Sequence, residues 1–379
     1  MATIARIPIN NTFMEGDYTG QILVGPKQQP LNVLLDTGSS ALALDGTKYT
    51  PDLTGGDVST DLAQTDAYGD GSTWTGGVIQ TKIGIGTGAT SIVLSGMNAA
   101  IAYTASSNMF GASDGILGLA YAPLDNAFTM PSDTSKTHYT EAQVQTGKPS
   151  DIEPYLTQLA DAGVTSDIIS FLTKRSFVHE GGGGVNDPLN QGWMIVGGGV
   201  EATDLYTGSF QVVKVLSDQW YCTNLKSVTV GTAAPITVKA KGPKGMPSNS
   251  IVDSGTNSLS LGATLLNAIL SKFPAAQKTM LSKAIHSQTP VAMTELNLAE
   301  WPTLTFVLQG DTADVSLNVT PGDYWQVNTG KVGEALVAIT PGQAGLAILG
   351  LPLMNGYFTI FDGEADGGTG VIRFATAVQ

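Results

Sequence analysis

Two short stretches of this chain, Leu34-Leu35-Asp36-Thr37-Gly38-Ser39-Ser40 and Ile251-Val252-Asp253-Ser254-Gly255-Thr256-Asn257, follow one plan. Each is an apolar run that delivers an Asp, then a hydroxyl residue, a Gly and a second hydroxyl residue. They lie 217 residues apart in opposite halves of a 379-residue chain, and no other Asp-(Ser/Thr)-Gly occurs. One such tripeptide carries little information, because Asp, Ser, Thr and Gly are ordinary turn formers. Two with matching apolar approaches point to a pair of like-built sites brought face to face.

The chemistry of such a pair is specific. Two carboxyl groups within hydrogen-bond distance cannot both ionise cheaply, so one keeps its proton well above its ordinary pKa. The pair then offers base and acid together: one group takes a proton from water while the other protonates or polarises a carbonyl. The neighbouring residues fit that role. Gly38 and Gly255 let the backbone turn tightly and approach the partner loop. Thr37 and Ser254 can hydrogen-bond across to the opposite loop, and Ser39 and Thr256 can hold each carboxylate in place.

The chain is long enough for two lobes, each with its own core. Charged residues make up 13% and glycines number 46, and apolar runs are broken by Gly, Ser, Thr and Asn, which reads as all-β. A net charge of −14 argues against nucleic acid or an anionic membrane as partner. Cys222 is the only cysteine, so no intramolecular disulfide can form, and its strand-like context reads as a buried structural thiol. No stretch is long and apolar enough to span a bilayer. Read from Met1, the chain is expected to be cytoplasmic; the alternative is a secreted protein whose leader and pro-segment are absent from this chain.

The repetition extends beyond the Asp motifs. Ile116-Leu117-Gly118-Leu119 recurs letter for letter as Ile348-Leu349-Gly350-Leu351, in the same order after its Asp, which reads as a duplicated lobe. Trp193 to Val196 running into Gly197-Gly198-Gly199 marks a lobe boundary, giving an N-terminal lobe over 1–200 and a C-terminal lobe over 201–379. Strands are expected at Tyr206 to Val215 and Leu225 to Val230. Helices are expected at Ile152 to Ala162, Ser166 to Leu172 and Ala263 to Lys272. Gly181 to Gly184 lacks the Lys and strand–helix context of a phosphate cradle and reads as a hairpin tip. Lys239, Lys241 and Lys244 read as a solvated connection. His138, His179 and His286 are scattered without ligand spacing, so no metal and no cofactor is expected.

With these motifs in this order, almost the whole chain resembles the pepsin family of aspartic endopeptidases. Tyr18 to Gly25 looks like the family's opening hairpin, and Asp114 to Ala120 like the segment beneath the first Asp loop. Ala347 to Gly350 and Tyr357 to Asp362 look like their counterparts in the second lobe. The resemblance implies a bilobal fold of two similar β-barrel-like lobes joined by a central sheet, with a cleft between them. It implies Asp36 and Asp253 as the catalytic pair, Ser39 and Thr256 as their hydroxyl partners, and Thr37 and Ser254 as the loop bridge. Ala67 to Gly76 resembles the flap, a hairpin closing over substrate. Tyr68 is then the flap tyrosine, with the Gly69 and Asp70 backbone bonding the bound peptide. Asn257, Leu34 and Ile116 join the substrate-binding set, the last two as S1-wall residues. Independently of family, Asp70-Gly71 is a strong hairpin-turn signal.

The chain departs from the family pattern in four places. Ala43 stands where family members carry the Trp that hydrogen-bonds the flap tyrosine; Trp74 is a candidate substitute, against the alternative of a packing role. The flap carries an extra residue, the family's disulfides are absent, and the chain starts just ahead of the mature region. Asp70 at the flap tip reads either as a selector of basic substrate side chains or as a turn former. The expected activity is a monomeric, pepstatin-sensitive endopeptidase acting on peptides or proteins between bulky apolar residues at acid pH. The alternative is a weak or inactive pepsin-fold peptide-binding or inhibitor protein. A glycosidase with paired carboxylates needs no doubled Asp-hydroxyl-Gly loops and ranks below both.

Overall fold

The computed structural model of the chain describes residues 3–86, 88–131 and 138–378. In its first half, the strands that carry the site are β1 (Ala5–Met14), β2 (Asp17–Val24), β3 (Gln29–Asp36), β4 (Leu42–Asp45), β5 (Val58–Ala67), β6 (Thr73–Ile85), β7 (Ile92–Ala105) and β8 (Gly115–Gly118). Alternate residues of β1 are buried, as a strand with one wet face requires. The end of β3, Val33 to Asp36, is buried on both faces, matching its unbroken apolar run.

The two halves repeat one arrangement. β3 runs parallel to β8, with Asp36 opposite Gly118; β8 runs antiparallel to β4, and β4 parallel to β7. In the second half Ser250–Val252 runs parallel to Ala347–Leu349, which is antiparallel to Leu259–Gly262, itself parallel to Ile339–Gly342. The repeated Ile-Leu-Gly-Leu is the floor beneath each Asp loop. Leu119 N–H donates to Asp36 O at 2.8 Å, and Asp253 N–H donates to Leu349 O at 3.2 Å. Leu351 N–H donates to Thr256 O at 2.8 Å, closing the second loop from below.

A central run of strands joins the halves in the order β1, Gln191–Val196, Ile168–Leu172, Tyr357–Asp362, Val371–Ala377 and Tyr206–Lys214. It therefore draws strands from both sides of residue 200. The strand expected at Leu225 to Val230 forms over those residues, and Cys222 lies fully buried in a short strand. Gly181 to Gly184 falls in the loop between the paired strands Ile168–Leu172 and Gln191–Val196, and Lys239, Lys241 and Lys244 are exposed.

One expected helix is a strand, and one helix was not expected. Ser166 to Leu172 is not a helix: Ile168–Leu172 is a strand, paired on both sides and buried along most of its length. β-branched and aromatic residues filling a central position in a sheet outweigh any short helical pattern. The helix Ala275–Ser287, just after Pro274, carries only Leu281, Ala284 and Ile285 as its buried face, and that thin apolar stripe gave no periodic signal. The helices Tyr155–Asp161 and Ala263–Leu270 lie within their expected spans.

Phe171, 1% exposed, packs edge-on against Phe361 with ring centroids 6.0 Å apart. Phe171→Ala should cost about 3–5 kcal/mol of stability in urea unfolding; a surface-like cost under 1 kcal/mol would contradict this placement of the strand.

Candidate active site

Asp36 is the last residue of β3, and Asp253 directly follows Ser250–Val252. The apolar run of each strand is anchored in the core, so each carboxyl emerges at a fixed point above its floor. Asp36 and Asp253 are 5% and 7% exposed. Ser39 Oγ donates to Asp36 Oδ2 at 2.5 Å and Gly38 N–H to Asp36 Oδ1 at 2.7 Å. Thr256 Oγ1 donates to Asp253 Oδ2 at 2.7 Å and Gly255 N–H to Asp253 Oδ1 at 2.9 Å. The same two donors, a Gly N–H two residues on and a hydroxyl three residues on, serve each carboxyl, so the repetition of sequence is a repetition of geometry.

Crossed bonds bring the loops together. Thr37 N–H donates to Ser254 Oγ at 3.0 Å and Ser254 N–H to Thr37 Oγ1 at 2.9 Å. Each hydroxyl then donates onward, Thr37 to Val252 O at 3.3 Å and Ser254 to Leu35 O at 2.7 Å. Trp220, which the sequence did not single out, adds a bond from its indole N–H to Gly38 O at 3.0 Å. The approach is so close that side chains are barred at the glycines. A Cβ on Gly255 would lie 2.3 Å from Asp36 Oδ1, and one on Gly38 2.8 Å from the Asp253 carboxyl.

The two carboxyl groups lie close enough for each to bear on the other's ionisation. Burial pushes both upward, Asp36 well above the ordinary carboxyl range, with the charge of Asp253 adding to it. The Thr256 and Gly255 donors pull Asp253 back down. A pair so placed favours the state in which one proton is shared between two acids. A third carboxyl, Asp17 at the start of β2, is raised by its own burial and by the charges of both Asp253 and Asp36. Its Oδ1 is buried without a hydrogen-bond partner among the described residues. An Asp after Gly in a turn carries no sequence signal of such a position.

β5 and β6 form the hairpin expected over the cleft, with Asp66 opposite Trp74 and Ala67 opposite Thr73. Its tip is closed by Tyr68 N–H to Ser72 O and Gly71 N–H to Tyr68 O, both 2.9 Å, and Gly71 takes φ +88°. Asp70 Oδ1 accepts from the Ser72 backbone at 2.8 Å and its hydroxyl at 2.7 Å. That carboxylate is committed to the turn. Gly69 is exposed at the tip and Asn257 is half-buried at the end of its loop.

Tyr68 packs against the cluster of Leu34, Ala41, Ala43, Trp74, Phe110 and Ile116. Trp74 Nε1–H donates to Tyr68 Oη at 3.2 Å. The indole thus fills the role expected of a Trp at position 43, reaching the tyrosine from the hairpin itself, and Ala43 is fully buried in the same cluster. Tyr68 Oη also lies beside Ser39, and burial first, then the charges of Asp66 and Asp36, holds its hydroxyl protonated. Leu34 and Ile116 pair across β3 and β8, 6% and 1% exposed, and Ile116 has little surface left to offer a ligand. Among the described residues no group of His, Cys, Asp and Glu is arranged to hold a metal ion.

The family model for eukaryotic aspartyl protease matches residues 17–142 and 184–376. The chain belongs to the eukaryotic aspartyl protease family. It is 24% identical to Pepsin B of the dog, Canis lupus familiaris, over 96% of this chain and 83% of that protein. It is 25% identical to Beta-secretase of the sea urchin Strongylocentrotus purpuratus, over 92% of this chain and 64% of that protein.

Two outcomes follow from the aspartyl protease geometry. Thr37→Val and Ser254→Ala should each cost about 1–3 kcal/mol, because each leaves a buried N–H without its acceptor. The double variant should cost less than their sum, since both act on one crossed pair; strict additivity in urea unfolding would contradict the coupling. Trp74→Phe keeps the packing and removes the Tyr68 bond. If the chain cleaves peptides, as proposed below, it should lower kcat/KM several-fold with little change in Tm, and an unchanged kcat/KM would leave Trp74 a packing role.

Proposed function

We propose that the chain is an aspartic endopeptidase that hydrolyses peptide bonds with water activated between Asp36 and Asp253. The observation that carries this reading is the buried, hydrogen-bonded carboxyl pair with identical donor sets. In it, the ionised carboxyl takes a proton from water as the water oxygen attacks the scissile carbonyl. The protonated carboxyl gives a hydrogen bond, then its proton, to the carbonyl oxygen. As the resulting tetrahedral diol collapses and the C–N bond breaks, the nitrogen takes the proton that the base carboxyl drew from water, and a diol hydroxyl returns its proton to the other carboxyl, restoring the one-proton pair. No covalent enzyme intermediate is formed.

The substrate lies extended beneath the β5–β6 hairpin, bonded through its main chain and presenting alternate side chains to the walls. The hairpin excludes water once closed, and the Trp74–Tyr68 bond holds its aromatic face over the pair. The apolar cluster around Leu34 and Tyr68 favours bulky apolar side chains beside the scissile bond. One chain carries a complete site, which fits a monomer.

The sign of the pH dependence follows from the pair. Both carboxyls are raised, so the one-proton state extends toward higher pH than an isolated Asp would hold. As pH rises through the upper pKa of the pair the acid is lost, and kcat/KM should fall on the neutral side. Cleavage of a fluorogenic peptide with an apolar–apolar scissile pair, followed from pH 3 to 7, should show this fall and should be blocked by pepstatin. Asp36→Asn and Asp253→Asn should each lower kcat/KM by roughly 10²–10⁴. Cleavage that survives Asp36→Asn would overturn the proposal. Pepstatin binding without cleavage would instead favour a peptide-binding protein.

A further inference from the structure

Behind the hairpin, a narrow crevice lies between β5 and the segment that follows β8. Gln64 and Asp66 of β5 line one side with Trp74 of β6, and Leu124 and Asp125 line the other. Its volume of about 30 Å³ admits a water molecule but not a substrate side chain. The crevice is therefore a joint rather than a subsite.

The joint is made by two side chains that the mechanism does not use. Gln64 and Asp125 are 3% and 5% exposed. Gln64 Nε2–H donates to Asp125 Oδ1 at 2.5 Å and to Asn126 O at 3.3 Å. β5 pairs with the strand Asn126–Thr129 only through Leu62 and Ala63. Gln64 is the next residue, so its bonds are the last that β5 itself makes outside the hairpin before it runs on to Asp66 and Tyr68, while β6 stays paired with β7 as far as Trp74. We propose that Gln64 and Asp125 are positioning residues for the flap, pinning β5 where it leaves the lobe and releasing it when Asp125 ionises. The functional side of this proposal rests on the peptidase reading, in which the hairpin closes over substrate.

The electrostatics fit the geometry. Burial pushes Asp125 up to about 7; the Gln64 amide opposes that and the charge of Asp66 adds to it. Asp66 is itself raised by burial. Other charged side chains on the surrounding elements are Asp61 of β5, Glu141 of the short helix Glu141–Val144, and Lys148 and Asp151 of the strand Lys148–Asp151. The charge that bears on Asp125 is that of Asp66. An unfolded Asp ionises near 4, so the stabilisation is complete below that pH. It is lost as pH rises to about 7, through the raised folded pKa. Above that range two carboxylates line one water-sized crevice, and fuller exposure to water relieves both the desolvation of Asp125 and the repulsion.

Hydrogen–deuterium exchange of the β5 and β6 amides tests the joint, with rates corrected for intrinsic pH dependence between pH 4.5 and 7.5. An Asp36→Asn background removes self-cleavage and makes the readout independent of activity. Exchange in that background should rise at least tenfold across the range, and adding Asp125→Asn should flatten the rise. Adding Gln64→Leu should give fast exchange at every pH, which keeps the test decisive if Asp125→Asn does not fold. An equal rise with Asp125→Asn, or protection unchanged by Gln64→Leu, would overturn the proposal. Failure of the peptidase reading would show separately, as absent cleavage in the unmodified chain.

Discussion

The region around the cleft depends on two carboxyl groups held against each other where water barely reaches. Moving even one carboxylate out of water costs several kcal/mol, and two like charges side by side cost more. Ser39, Gly38, Thr256 and Gly255 supply four donors that offset part of this cost, and in the proposed reading one proton kept between the acids offsets the rest. Neither condition alone would suffice. Without the donors burial would hold both groups neutral, and without the proximity Asp36 would lose the charge of Asp253 that adds to the effect of burial.

That requirement shapes the rest. The loops must approach from opposite lobes, so Thr37 and Ser254 bridge them and glycines stand where a Cβ would strike a carboxyl. The loops must not sag, so Ile-Leu-Gly-Leu is laid beneath each one, hydrogen-bonded to the backbone above. The hairpin above shares the same network, since Tyr68 lies beside Ser39, which donates to Asp36.

The Asp loops, their hydroxyl partners and the floor were legible because a rare tripeptide and a four-residue string each occur twice, in the same order. Trp74 was legible only as one of two readings, since strand periodicity places an indole inside without fixing where its N–H points. The bond to Tyr68 depends on how the hairpin folds back on itself, which no local pattern encodes. Ile168 to Leu172 was misread because a short apolar run does not declare helix or strand, and paired neighbours on both sides decide it. Asp17, Gln64, Asp125 and Trp220 were silent in the sequence. Each is a single polar or aromatic residue in unremarkable surroundings, and its meaning comes from long-range neighbours that no local pattern encodes.

The central claim, that Asp36 and Asp253 titrate as one coupled pair, is open to direct measurement. Carbon-13 NMR of protein labelled at the Asp carboxyl carbon follows both groups, with Asp253→Asn isolating Asp36. The account predicts two widely separated steps in the unmodified chain, with the upper step lost when Asp253 is replaced. Two carboxyls titrating together near 4, each unaffected by loss of the other, would contradict it.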